Sequence, residues 1–298
     1  MDPQTHTPRK MAAEKEAAGT ALITGASSGI GYEFALLCAQ EGYDLVVVAR
    51  NRSALAALAE RCQQEHGVRV EVCVKDLSVQ TAAEELFDEL YRRNITVDVL
   101  INDAGFAMQG PFVEDDVSAL LDMLQVNIVA LTHLTRLFLP GMIKRGRGKI
   151  LNMASIGSYM PGPLMAGYFA SKAYVLSLSE ALANELQGTG VTVTALCPGP
   201  TRSKFARRAG LTACKAFRGS LMEAADVVQE GFAALMKGKQ VLITGRKLRW
   251  QMLPTPLIPR RFLAYFARQY HETLAPEETL PEETHDWASA DASHAIRP

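Results

Sequence analysis

Seven short apolar runs recur along this 298-residue chain, each followed by a stretch with helical spacing. The runs are 20–24, 44–49, 69–74, 98–102, 149–153, 191–197 and 240–244, and TALIT, DLVVVA and VTVTALC show their character. They are rich in β-branched residues and almost continuously apolar. A strand with one face in water alternates, whereas a strand covered on both faces does not. Helical patterns fill the gaps near 30–41, 52–65, 79–93, 116–145, 164–187 and 223–236. This alternation predicts an α/β fold: a doubly wound, seven-stranded parallel sheet with right-handed crossovers, flanked by helices.

No internal repeat interrupts the pattern, and composition is even to about residue 245. A polar leader (1–18) precedes one domain (19–248), within which residues 200–222 form a basic insertion. Connections of that length in compact domains serve as substrate lids or binding loops. An amphipathic extension (249–275) follows, and then an acidic, Pro-punctuated tail (276–298) whose composition predicts disorder. A net charge of -1 gives no overall attraction to nucleic acid. The N-terminus lacks the apolar core of a secretory signal, and no run of about 18 consecutive apolar residues is present, so a cytoplasmic protein is expected. The five cysteines are odd in number and lack a CxxC spacing, which predicts buried, reduced thiols. The six histidines are scattered, and no metal site is expected.

The segment TGASSGIG (24–31) joins the first strand to the first helix. Gly25 permits the tight turn, Gly29 lets the backbone approach a pyrophosphate, and Gly31 lets the helix pack closely on the sheet. Exposed N–H groups at the helix start favour a dinucleotide phosphate. At the end of the second strand, where an NAD site supplies a carboxylate for the ribose hydroxyl, the chain reads Ala49-Arg50-Asn51-Arg52. Guanidinium groups without a carboxylate favour a 2′-phosphate, so NADP(H) is expected over NAD(H), with Arg50 at the strand tip ahead of Arg52.

Tyr168 and Lys172 lie at i and i+4 of a helical pattern and so share one face, with Ser155 upstream in LNMASIGS. A neighbouring ammonium favours the phenolate and makes a tyrosine usable for proton transfer. Ser158 competes with Ser155 for the same role, and Tyr174 points off the shared face.

Together these elements resemble the short-chain dehydrogenase/reductase superfamily over about residues 19–245, and the resemblance implies a Rossmann fold. TGxxxGxG matches 24–31, Asp76 matches the adenine-contacting aspartate, and Asn127, Ser155, Tyr168 and Lys172 match the catalytic tetrad in order and spacing. The resemblance implies that Ser155 hydrogen-bonds a substrate carbonyl and Tyr168 donates a proton. Lys172 would lower the tyrosine pKa and bind ribose, Asn127 would hold a water relay, and Thr201 would orient the nicotinamide. It also extends the cofactor contacts to Ser27, Ser28, Ile30, Leu77, Asn102, Ala104, Gly105, Pro198 and Gly199. Asp76 has a second reading as a cap for the following helix. One position departs from the pattern: NDAG (102–105) carries Asp103 where the family has asparagine. An ionised carboxylate has no donor, so weaker cofactor binding than in an Asp103→Asn variant is expected.

Phe106, Met108, Ile156, Tyr159, Met160 and Phe205 are candidate pocket residues, which points to a hydrophobic ketone, aldehyde or acyl substrate. The long helices and the family habit imply a homodimer or homotetramer. The aromatic stripe of Phe262, Phe266 and Tyr270 is read as packing on its own domain or a second subunit, ahead of a membrane surface. Two rivals to a soluble reductase remain: a non-catalytic NADP-binding redox sensor, and a membrane-associated acyl or sterol reductase.

Overall fold

The computed structural model describes residues 18–272 apart from 212–213 and 216–220. The leader to residue 17, part of the insertion and the acidic tail lie outside the described residues. Strands β1 (Thr20–Thr24), β2 (Asp44–Ala49), β3 (Val70–Val74), β4 (Val99–Asn102), β5 (Gly148–Met153) and β6 (Val191–Cys197) build the main sheet. A small parallel pair, β7 (Thr201–Arg202) and β8 (Met222–Glu223), follows, and β9 (Val241–Ile243) completes the main sheet. Its order is β3-β2-β1-β4-β5-β6-β9, parallel throughout. The seven predicted strands all form. Near-complete burial along β1, β2, β4 and β6 explains their unbroken apolar runs.

Helices cover both faces. On one side, α1 (Gly29–Gln40) and α2 (Arg52–His66) bury Phe34, Leu37, Leu55 and Leu58. The other side is covered by α3 (Ala82–Arg92), α4 (Val117–Leu124), α5 (Leu131–Arg145) and α6 (Ala166–Glu185), with Leu86, Leu90, Leu134, Phe138 and Met142 in the core. After α7 (Lys204–Arg208), α8 (Ala224–Met236) returns to the first face through Val227, Val228 and Leu235. The described residues close with α9 (Arg246–Met252) and α10 (Arg260–His271). All five cysteines are buried. Strand order reverses between β1 and β4, and the crevice beyond their carboxyl ends is where doubly wound sheets bind ligands.

Three local departures from the sequence pattern matter for the site. The helix expected over 116–145 is interrupted by a π-helical turn, Gln125–Ala130, which contains Asn127. Such turns re-aim side chains and cluster at functional sites. The helix expected from 79 starts at Ala82, because Asp76 and Ser78 form a turn in which Ser78 N and Oγ donate to Asp76 Oδ1 at 3.0 and 2.8 Å. The insertion is pinned at both ends by the β7–β8 pair, with α7 between them. The run Val117–Arg145 is long and apolar enough by composition to cross a membrane, with 28% of its most apolar window buried.

Candidate active site

The phosphate loop is built by close approach. Thr24, at the end of β1, accepts at its hydroxyl from Asp103 N (3.1 Å) and Ala104 N (3.0 Å), which locks the β1 and β4 tips together. Sequence reasoning passed over this threonine, because its partners are nearly eighty residues away. The chain then turns through Gly25 (φ +74) and Gly29 (φ +64) into α1. A Cβ on Gly31 would lie 2.6 Å from Asp103 Oδ2 and 2.7 Å from Gly25 O, so any side chain there would displace the loop. Ser27 and Ser28 lie in the turn, Ile30 opens α1, and Ser28, the N-cap, makes no capping bond. The result is a glycine-rich turn at a helix N-terminus, which fits a dinucleotide pyrophosphate.

At the far end of the crevice, the exposed Arg50 guanidinium stands 3.7 Å from the Asp76 carboxylate. Burial alone would raise the Asp76 pKa, but the two Ser78 bonds and Arg50 hold it below the ordinary value. Asp76 therefore caps its own turn and not α3, whose N-cap is Thr81. Leu77 is buried beside it. Arg52 is exposed at the start of α2, which Asn51 caps by accepting from Ala54 N at 3.1 Å. The Asn102 side chain lies within the sheet layers, donating to Thr135 Oγ1 (3.1 Å) and Asn152 Oδ1 (2.9 Å), so only its backbone faces the crevice rim. Gly105 is pressed against the catalytic candidates: a Cβ there would lie 2.9 Å from Asn127 Oδ1 and 3.5 Å from Lys172 Nζ. On the opposite rim, Pro198 O accepts from Ile156 N at 3.1 Å, and Thr201 Oγ1 donates to Gly199 O at 2.9 Å.

The four tetrad candidates come together from three elements. The Ser155 hydroxyl lies near enough to the Tyr168 phenol to pull its pKa down, and it accepts from Gly157 N at 3.0 Å. The hydroxyl of Ser158 donates to Lys172 O at 2.8 Å, so it braces α6 and leaves Ser155 as the serine that meets the tyrosine. Tyr174 faces away and pairs with Thr132 at 3.1 Å. Lys172 is buried, donates from Nζ to Met153 O at 2.7 Å, and lies 5.8 Å from the centre of the Tyr168 ring. Asn127 is fully buried and divides its amide between the Phe106 backbone and a serine, accepting from Phe106 N (3.1 Å) and donating to Phe106 O (3.0 Å) and Ser171 Oγ (3.1 Å).

Electrostatics correct one expectation. Tyr168 was expected to have its pKa lowered by Lys172. Burial instead pushes the phenol up to about 12; the Ser155 bond opposes this and the Asp103 charge adds to it. Burial likewise pushes Lys172 down to about 8. With the side chains of this protein alone, desolvation outweighs the pairing of the two groups, because the ammonium sits over the ring and its proton is directed at Met153 O.

Asp103 joins the two halves of the site. Burial pushes its carboxyl, which lies beside Gly31 beneath the glycine loop, up to about 7, with Lys172 and the Gly31 N–H opposing. An acceptor at this position is thus used by the fold, even though the amide donor of asparagine is missing.

On the substrate side, Phe205 of α7 tilts over Tyr168 with ring centres 5.6 Å apart, and Met160, Phe169, Ala206, Leu211 and Cys214 surround them. Met160 and Phe205 thus lie where the sequence reading puts them. Two other pocket candidates do not: Tyr159 packs into the α6–β6 core with its hydroxyl on Cys197 Sγ at 3.9 Å, and Phe106 packs on the α3–α5 side. Sequence reasoning missed the clasp that closes this side. Gln109 Nε2 donates to His271 O (2.8 Å) and Cys214 Sγ (2.8 Å), and His271 stacks edge-on against Phe169 with ring centres 4.9 Å apart. Among the described residues, no His/Cys/Asp/Glu cluster has the makings of a metal site.

Comparison with known proteins agrees with this geometry. The family model for short chain dehydrogenases matches residues 19–212. A very-long-chain 3-oxoacyl-CoA reductase of Phaeosphaeria nodorum is 38% identical over 177 residues, 58% of this chain and 52% of that protein. The chain thus spans about half the length of that curated relative. Among solved structures, a short-chain dehydrogenase from Sphingobium yanoikuyae in complex with NADPH is 35% identical, with a TM-score of 0.72 covering 80% of this chain and 93% of that one. The bulky-bulky ketone specific alcohol dehydrogenase of Comamonas testosteroni is 30% identical (TM-score 0.69, 88% and 99% covered). A Burkholderia phymatum relative in complex with NAD is 27% identical (TM-score 0.72, 79% and 92% covered).

Proposed function

The chain belongs to the short-chain dehydrogenase family, and on that premise we propose that it is an NADP(H)-dependent oxidoreductase interconverting an apolar ketone or aldehyde with its alcohol. The observation that carries this reading is the convergence of Ser155 and Lys172 on Tyr168, with the close-packed glycine loop across the crevice. When bound, the nicotinamide supplies the hydride. Gly25, Gly29, Gly31 and the N-terminus of α1 would hold its pyrophosphate, and Asp76 with Leu77 the adenine end. Arg50 would take a 2′-phosphate; it is exposed at the tip of β2, 3.7 Å from Asp76, and the stretch 49–52 itself holds no carboxylate. Gly105 and Lys172 would meet the ribose and Thr201 the carboxamide.

The reacting chemistry assigned to the chain is proton handling. Ser155 Oγ donates a hydrogen bond to the substrate carbonyl oxygen and polarises it. Tyr168 gives its phenolic proton to the developing alkoxide, leaving a phenolate beside the Lys172 ammonium. A phenol pushed up to about 12 stays protonated at neutral pH, which suits donation and therefore reduction. Asn127 acts here as a brace, holding the Phe106 backbone against α6 so that Gly105 can approach Lys172. The cluster of Met160, Phe169 and Phe205 around Tyr168 supports an apolar substrate, as do the ketone and 3-oxoacyl specificities named for similar proteins. Self-association is part of the same reading, supported by the exposed Val117, Leu121 and Val129 on the helical run 117–145.

The test is NADPH oxidation, with NADH as control, against bulky ketones, aldehydes and 3-oxoacyl thioesters. The expected outcome is turnover with NADPH on an apolar carbonyl, falling by about 10²- to 10⁴-fold in Tyr168→Phe while cofactor binding persists. Cofactor binding without turnover on any carbonyl would favour a sensor and overturn the assignment.

A further inference from the structure

Helix α10 (Arg260–His271) presents two opposed faces. Leu263, Ala267 and His271 recur every four residues and are buried. Through them the helix reaches the substrate side: His271 O accepts from Gln109, its ring meets Phe169, and its Nδ1 lies 3.2 Å from Pro163 O. Phe169 in turn packs edge-on against Tyr168, with ring centres 6.0 Å apart. The end of α10 is therefore one aromatic ring from the proposed proton donor.

The outer face carries Phe262, Tyr265, Phe266 and Tyr270, at i, i+3, i+4 and i+8, exposed by 46%, 58%, 54% and 60%. Trp250, Leu253 and Leu257, in the segment that leads into α10, are also exposed. Nothing in the fold requires such a concentration, because the same helix buries a separate stripe. The sequence reading expected the Phe262–Phe266–Tyr270 stripe to pack on its own domain or a partner, but the domain takes the adjacent stripe.

Charge identifies what the outer face suits. The segment 246–272 contains Arg246, Lys247, Arg249, Arg260, Arg261 and Arg268 against the single acid Glu272, in a chain whose net charge is -1. Arg249 pairs with Glu230 and Arg268 with Glu272, whereas Arg246, Lys247, Arg260 and Arg261 have no carboxylate partner among the described residues. The Arg261 guanidinium lies over the Phe262 ring, 4.9 Å from its centre. Aromatic rings with one polar edge, flanked by cations, match the boundary between anionic headgroups and acyl chains.

We propose that α9 and α10 dock this protein on an anionic lipid surface, with Phe262, Tyr265, Phe266 and Tyr270 in the headgroup–acyl boundary and Arg246, Lys247, Arg260 and Arg261 on the phosphates. The buried stripe keeps its grip on the clasp of Gln109, Cys214 and His271, so the substrate side lies beside the membrane and draws on lipid-dissolved carbonyl compounds. That second clause rests on the reading of Tyr168 given above; the docking does not.

The test is co-sedimentation of the full chain with vesicles of phosphatidylcholine alone and with about 30% phosphatidylglycerol, at about 0.1 and 0.5 M salt. Binding is expected to the anionic vesicles only, to weaken at high salt, and to fall by roughly tenfold or more in Arg260→Glu/Arg261→Glu and in Phe262→Ser/Phe266→Ser. Both variants change exposed side chains, so circular dichroism and turnover of a water-soluble carbonyl should match the parent. Equal sedimentation of parent and variants, or none on anionic vesicles at low salt, overturns the docking. Dissociation of an oligomer by Phe262→Ser/Phe266→Ser also overturns it, by assigning the face to a second copy. Vesicle binding that appears only after removal of residues 273–298 assigns the face to the chain's own acidic tail and overturns docking of the full chain. Sedimentation is read without turnover, so failure of the carbonyl assignment leaves this result standing, and the reverse also holds.

Discussion

Replacing Asp103 with asparagine is the perturbation whose consequences the structure specifies most fully. The carboxyl lies under the glycine loop beside Gly31 and stands in the field of Lys172, and burial moves it from its ordinary 3.8 to about 7. A carboxyl whose folded pKa is raised costs stability when ionised. The cost is absent below the unfolded value near 4, grows between about pH 4 and 7, and is constant above 7. Converting the displacement gives at most about 2 kcal/mol at pH 5 and about 4 kcal/mol at pH 8; these are ceilings, because the residue retains some contact with solvent. Asparagine has the same shape and no charge, so Asp103→Asn should gain stability as pH rises. The difference of roughly 2 kcal/mol between the two pH values corresponds to about 5 °C in melting temperature for a domain of this size. Thermal melts of parent and variant at pH 5 and 8 measure it. The variant should also bind NADPH more tightly, with the advantage widening from pH 6 to 8 as the parent's carboxylate ionises beneath the phosphate cradle. Asp103 raises the Tyr168 pKa, so the variant's rate profile should shift toward lower pH. A melting difference that is the same at both pH values would refute the reasoning, and equal NADPH affinity would remove Asp103 from the cofactor site.

Two further outcomes follow from single contacts. Gly31→Ala would ordinarily strengthen a helix, but its Cβ would meet the Gly25 carbonyl at 2.7 Å and Asp103 Oδ2 at 2.6 Å; a loss of about 1–3 kcal/mol and a more than tenfold weaker NADPH affinity are expected by denaturant melts and titration. Arg50→Glu places a carboxylate at the tip of β2 and should lower the NADPH:NADH ratio of kcat/KM by about 10- to 100-fold, the value of a charge-assisted phosphate contact; an unchanged ratio would remove Arg50 from the 2′-phosphate site.

Local chemistry made much of this protein legible in its sequence. Strands covered on both faces must be continuously apolar, so the seven runs and their helices could be placed within about three residues, and Gly31 of the phosphate loop marks a place that tolerates no side chain. The order of Asn127, Ser155, Tyr168 and Lys172 is likewise a property of the chain itself. What spacing cannot carry is which atom meets which across the sheet. Only the fold commits the Ser158 hydroxyl to Lys172 O and leaves Ser155 for Tyr168. It also brings Thr24 to the β4 tip, and closes the substrate side with Gln109 and His271, which are 162 residues apart in the chain. Charge behaves the same way. A lysine four residues from a tyrosine reads as an activating neighbour, until burial of both groups outweighs their attraction and moves the phenol up and the ammonium down. Periodicity is set within a turn of helix or a strand, whereas desolvation and hydrogen-bond partners are set by everything packed around a group. The sequence by itself therefore determined the architecture and the roster of reactive groups, and tertiary packing decided their partners and their protonation.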